Sequence, residues 1–114
     1  IATRLNALGE MHLRFVPIEF TPRSSRFAEQ LCSGCFVFTT DRERLRPVEA
    51  NVRIACELTA LYPDEFDMRR SEWLVGGLPV AEAIRGGAPA DDVIAGWRPA
   101  LEEYMRRRER YILY

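Results

Sequence analysis

Lysine is absent from the sequence: all 16 basic side chains are arginine. Two readings follow, a codon bias that favours arginine throughout the chain and a selection for the bidentate anion contacts that arginine makes better than lysine. A basic excess is missing as well. With 16 basic against 17 acidic side chains the net charge is −1, which excludes nucleic-acid binding driven by bulk electrostatics. No stretch approaches the ~20 uninterrupted apolar residues of a membrane span, because Arg, Glu or Asp recurs throughout. Nor is there a basic start followed by an apolar run, the pattern of a signal peptide. The initiator methionine is missing too, and a chain that opens Ile-Ala-Thr-Arg-Leu-Asn-Ala-Leu is expected to be cut from a longer one. Cysteine is scarce and odd in number, at three, so no disulfide framework is expected and the redox compartment stays open.

What is present fits one soluble globular domain over residues 1–114, 47% hydrophobic and 29% charged, long enough to bury a core without staples. Ile1, Leu5 and Leu8 share a helical face that ends at Gly9. Leu13–Phe20 alternates as a strand, with Pro17 predicting a bulge or a sheet edge. Residues 21–27 form a polar loop, residues 28–31 a single helical turn, and Cys35–Thr40 a compact run of β-formers that reads as a central strand. Pro47 opens a helix with Val48, Val52, Ala55, Leu58 or Thr59, and Tyr62 on one stripe, and Pro63 stops it. Glu65–Arg69 alternates as a short strand. A short helix over 79–85 closes at Gly86-Gly87. Pro89 then opens the clearest helix, with Val93, Ile94, Trp97, Leu101, Tyr104 and Met105 as its buried stripe and Arg106, Arg107 and Arg108 in its last turn, where they complement the macrodipole. The apolar character of 111–114 predicts a terminus docked on the body. The fold class is mixed α/β: a small sheet of two to four strands packed by several helices, with a helix-rich C-terminal half.

The candidate chemistry is sparse. Cys32-Ser-Gly-Cys35 has redox or half-zinc spacing, yet it enters a strand rather than a helix N-terminus, and His12 and Cys56 are lone residues. Structural cysteines, with no metal and no cofactor, are the expectation. His12 is the only imidazole available to a catalytic triad, and it stands at a strand entrance. The loop 20–27, FTPRSSRF, gathers Arg23, Arg26, Ser24 and Ser25, side chains that suit a carboxylate, a phosphate or sugar hydroxyls and that equally compose any exposed loop. Asp41 follows the second strand, and either caps the turn to Arg44 or contacts a ligand at the sheet edge. No pair of carboxylates flanks a cleft as glycoside hydrolysis usually requires.

Taken in order, Phe15-x-Pro17-x-x-Phe20-Thr21-Pro22, Cys32-x-Gly34, Thr40-Asp41-Arg42, Arg46-Pro47, Leu61-Tyr62-Pro63, Gly76, Trp97 and Arg108-x-x-Tyr111-x-Leu113-Tyr114 form a series spread over the whole chain. It resembles the C-terminal part of the bacterial exo-β-N-acetylmuramidases, a glycoside hydrolase family long known only as a domain of unknown function. The resemblance implies an enzyme that removes N-acetylmuramic acid from the non-reducing end of peptidoglycan fragments. It implies a larger, Rossmann-like N-terminal domain carrying the proposed catalytic Glu, with the substrate cleft near the domain junction.

This chain would then be the auxiliary C-terminal domain, shaping one wall of the cleft with no catalytic residue of its own. Its partners would be the upstream catalytic domain and a peptidoglycan-derived muropeptide or disaccharide. The expected substrate contacts are Thr21, Arg23, Ser25, Arg26 and Asp41, at the ends of the two strands. The compartment would be periplasmic or extracellular if a signal lies upstream, and cytoplasmic otherwise. The sequence departs from the family at Ser24, where an aromatic is usual, and at Gly77 and Ala81, where Thr or Ser and then Arg are usual. A stand-alone, non-catalytic glycan-binding or assembly module is the alternative.

Overall fold

The computed structural model describes residues 1–9 and 11–112, which fall into two units, Ile1–Ala50 and Asn51–Tyr114. The first unit opens with α1, Ala2–Ala7, whose Ala2 and Leu5 are buried. Gly9 and His12 both take left-handed backbone (φ 59° and 54°), turning the chain into β1, Leu13–Phe20. β1 pairs antiparallel with β2, Cys32–Thr39, to form a two-stranded sheet. The register runs without interruption from Leu13 opposite Thr39 to Phe20 opposite Cys32.

Of the two expectations at Pro17 the sheet edge holds and no bulge forms, and the hydrogen bonds show why. Asn6 on α1 donates its amide to the Phe15 carbonyl (2.8 Å) and accepts from the Phe15 N–H (2.9 Å). The backbone polar groups of Phe15 therefore point away from β2. Pro17, two residues on, shares that orientation, so its missing N–H falls on the outer edge and costs the ladder nothing.

Alternation then gives the sheet two faces. One carries Phe15, buried, with Leu13, Pro17 and Glu19 on β1 and Ser33, Cys35, Val37 and Thr39 on β2. The other carries Arg14, Val16, Ile18 and Phe20 against Phe38, Phe36, Gly34 and Cys32. Here the Phe36 and Phe38 rings lie 4.6 Å apart, and the Phe20 ring covers Gly34, where an added Cβ would meet Phe20 Cε1 at 3.2 Å. This second face is exposed: Phe20, Phe36 and Phe38 keep 46%, 51% and 50% of their surface in solvent.

The second unit is helical. α2, Pro47–Leu61, starts at a proline that needs no N–H partner and ends two residues before Pro63. Asp67 then caps a 3-10 helix, Met68–Leu74, by accepting from the Arg69 N–H. α3, Leu78–Arg85, closes on Gly86 and Gly87 (φ 77° at Gly87), with Gly87 and Ala88 N–H groups returning to the carbonyls of Ile84 and Ala83. α4, Ala90–Arg108, follows Pro89 with Asp91 and Asp92 in its first turn. Val52, Ala55, Met68, Val75, Ala81, Ile84, Val93 and Ile94 form one continuous core, with Phe66 and Trp97 packed against it.

Several expectations are corrected. Residues 65–69 are no strand: the Asp67 cap turns the chain into the 3-10 helix. β2 begins at Cys32, earlier than expected, and is an outer strand of a pair rather than a central one. Residues 28–31 make turns instead of a helical turn. On α2 only Val52 and Ala55 of the stripe are buried, while Val48 and Tyr62 are exposed. The apolar stripe of α4 is buried only at Val93 and Ile94 and partly at Trp97, whereas Leu101, Tyr104 and Met105 face solvent. Tyr111 is 81% exposed, so it does not dock as expected, and Leu113 and Tyr114 lie outside the described residues.

Candidate functional site

Residues 21–31 connect Phe20 to Cys32, and three backbone hydrogen bonds hold them. The Glu29 N–H donates to Pro22 (2.9 Å), Ala28 to Ser25 (3.2 Å) and Gln30 to Phe27 (3.2 Å). Ser25 and Glu29 sit in left-handed backbone at φ 80° and 59°, a conformation that side-chain-bearing residues adopt at a cost. The loop is thus a folded turn rather than a random connection. Thr21, Arg23, Ser24, Ser25 and Arg26 are all exposed on it. The Arg26 guanidinium lies over the Phe27 ring, 5.4 Å from its centre, which preorients one cation without neutralising it.

Asp41 is elsewhere. In an antiparallel hairpin the end of β1 adjoins the start of β2, so Asp41, after Thr39, lies at the opposite pole from the loop. Seven residue steps of strand separate the two, about 24 Å. Thr21, Arg23, Ser25 and Arg26 stand on one exposed loop, and Asp41 is not on it. Its carboxylate accepts from the Glu43 and Arg44 N–H groups (3.0 and 3.1 Å) through Oδ1, while Oδ2 lies 3.7 Å from the Arg44 guanidinium. Both oxygens serve the turn that follows.

The cysteines do not form a centre among the described residues. Cys32 and Cys35 stand three apart on a strand and so project to opposite faces. Cys56, on α2, approaches the Ala88 carbonyl at 3.9 Å, and burial pushes its thiol pKa up, Glu57 adding to the shift and Arg53 opposing it. Ala81 lies in the core of the helical unit, a place for a methyl group and not for a substrate-binding cation.

One feature escaped the sequence reading. Tyr104, Arg107, Arg108, Arg110 and Tyr111 line a cleft of about 480 Å³ at the end of α4. Arg107 approaches Glu103 at 3.9 Å, and Arg108 donates to the Met105 sulfur at 3.8 Å. These arginines read as macrodipole partners in the sequence. The signal that would have singled out the cleft was the spacing of Tyr104, Arg107, Arg108 and Tyr111, which places two rings and two cations on one helical stripe.

The sequence model for the exo-β-N-acetylmuramidase NamZ C-terminal domain matches residues 1–114. The chain belongs to that family. It is similar to the peptidoglycan β-N-acetylmuramidase NamZ of Bacillus subtilis (strain 168), with 25% identity over 113 residues, covering 96% of this chain and 27% of that protein. The fold is similar to that of a DUF1343 family protein from Bacteroides fragilis NCTC 9343, known from a crystal structure. That match has a TM-score of 0.82 and 25% identity, and covers 99% of this chain and 32% of the other. The chain therefore spans about a third or less of the length of these relatives, and the family model it matches is that of a C-terminal domain.

Proposed function

We propose that the chain is the auxiliary C-terminal domain of an exo-β-N-acetylmuramidase acting on peptidoglycan fragments, and that it contributes a substrate contact rather than the bond-breaking groups. The observation that carries this is the match of the NamZ C-terminal family over the whole chain, together with a hairpin loop on which Thr21, Arg23, Ser25 and Arg26 are all exposed. Arginine pairs with the lactyl carboxylate that distinguishes muramic acid, and the hydroxyls of Thr21 and Ser25 exchange hydrogen bonds with sugar hydroxyl or acetamido groups. Asp41 enters this reading only as a contact to a separate part of a longer glycan, since one sugar ring does not reach it and the loop together. The upstream domain supplies the catalytic Glu. Its presence as partner follows from the same reading.

The test uses the full-length enzyme. Replacing Arg23 or Arg26 with Ala is expected to raise KM for a muramic-acid disaccharide about tenfold or more, the effect of one lost charged hydrogen bond. Unchanged kinetics for both variants remove the loop from the site. The parallel variant Arg108→Ala asks whether the cleft at the end of α4 takes the anion instead. Saturable binding of muramic-acid fragments to the chain without its upstream domain would favour the module reading over the half-site reading.

A further inference from the structure

The exposed face of the hairpin is the least explained surface of the molecule. Val16, Ile18, Phe20, Phe36 and Phe38 lie together on it, and the cross-strand register places Val16 opposite Phe36 and Ile18 opposite Gly34. About half of each of the three phenylalanines is in solvent. At 150–250 Å² per ring that exposes roughly 300 Å² of aromatic surface in one patch, the size of the largest apolar patch on a typical monomer, which is often functional. On the opposite face Phe15 is buried and Asn6 of α1 holds its backbone, while Pro17, Glu19, Ser33, Val37 and Thr39 are exposed and only Val37 among them is a large apolar side chain.

The chemistry of the patch selects its occupant. A sugar ring stacked on aromatics also needs hydrogen-bonding side chains beside them. Between Arg14 at one end and Cys32 at the other, this face offers only hydrocarbon. Such a surface suits the apolar side chains of a protein. The patch also matches one side of an interdomain interface, which buries from about 600 Å² in total, half on each partner. A hairpin of two strands is marginal unless something packs on it. The family supplies the candidate, because the relatives carry more than two thirds of their length outside the matched domain.

We propose that the Val16–Ile18–Phe20–Phe36–Phe38 face of the hairpin is the docking surface for the polypeptide that precedes this domain in the full-length enzyme. The assignment rests on the reading of the chain as a C-terminal domain and adds which surface joins it to the rest. The loop carrying Arg23 and Arg26 leaves the hairpin directly after Phe20. Docking through this face therefore fixes the base of that loop against the upstream domain.

The test is thiol labelling in the full-length protein. Val16→Cys, on the proposed interface, and Glu19→Cys, exposed on the other face, are each treated with a maleimide and the labelled peptides are quantified by mass. Docking predicts labelling at position 16 at least about tenfold slower than at position 19. The native thiols repeat the measurement without a substitution: Cys32, beside Phe20, is expected to label more slowly than Cys35. Equal rates at 16 and 19 overturn the assignment. Protection that disappears on dilution overturns it in favour of a second copy, and protection that arises only when a muramic-acid disaccharide is added overturns it in favour of a sugar platform. Turnover of the disaccharide is followed on the same preparations. Turnover with a freely reactive position 16 leaves the enzymatic reading intact and removes the docking surface, whereas protection without turnover does the reverse.

Discussion

The core of the helical unit and the β2 strand of the hairpin unit handle apolar residues in opposite ways. In the helical unit Val52, Met68, Ile84 and Ile94 are almost completely buried in one cluster that α2, α3, α4 and the 3-10 helix all enter. In the hairpin unit the most apolar stretch of the chain, Cys35-Phe36-Val37-Phe38, keeps its rings in water. Burial at about 25 cal/mol per Å² rewards the first arrangement and not the second. A run that is apolar on both faces is written for cover on both sides, and on β2 Phe36, Val37 and Phe38 all stay about half exposed.

The contrast can be broken by substitution. Ile84→Ala should destabilise the helical unit by about 2–5 kcal/mol in denaturant unfolding, since it removes buried methylenes and leaves a cavity. Asn6→Ala should cost about 1–3 kcal/mol by leaving the Phe15 N–H and carbonyl without their partner, and hydrogen exchange at Phe15 should accelerate accordingly. Phe36→Ala, in this chain alone, should cost about 1–2 kcal/mol, less than a fully buried ring would, because half of the ring is in water already. A Phe36→Ala effect as large as that of Ile84→Ala would erase the distinction between the two units.

The smallest expected effect is electrostatic. The Arg69 side chain and its N–H, bonded to Asp67, hold that carboxyl below the usual carboxylate range. A carboxyl whose folded pKa is depressed stabilises the fold above its unfolded pKa, near 4, and loses that contribution as pH falls through the lower folded value. Asp67→Asn should therefore flatten the acid limb of the stability profile slightly, as read by thermal unfolding between about pH 2 and 5. An unchanged acid limb would show that the pair is fully screened.

Much of this was legible in the sequence because local signals agreed with tertiary ones. Pro47 and Pro63 bracket α2, Gly86 and Gly87 close α3, and Pro89 with Asp91 and Asp92 opens α4. The failures share one cause. Leu101, Tyr104 and Met105 continue the periodic stripe of Val93 and Ile94, and periodicity states which residues share a face, not whether anything covers it. The same holds for β2, whose composition suits a central strand while its neighbours supply one partner. For the candidate site, the loop residues were legible as a cluster because they are adjacent in sequence. The displacement of Asp41 was not, because strand ends that look equivalent in sequence fall at opposite poles once the strands run antiparallel.

The Asn6 contact has a meaning for association as well as for stability. A strand adding to the outer edge of β1 would need the Phe15 N–H and carbonyl, both already taken by Asn6, and a donor at Pro17, which has none. That edge is a closed template. Edge-to-edge growth of the sheet, whether by a productive partner or by aggregation, is turned away from β1 and directed to the other side of β2, which pairs with no further strand among the described residues.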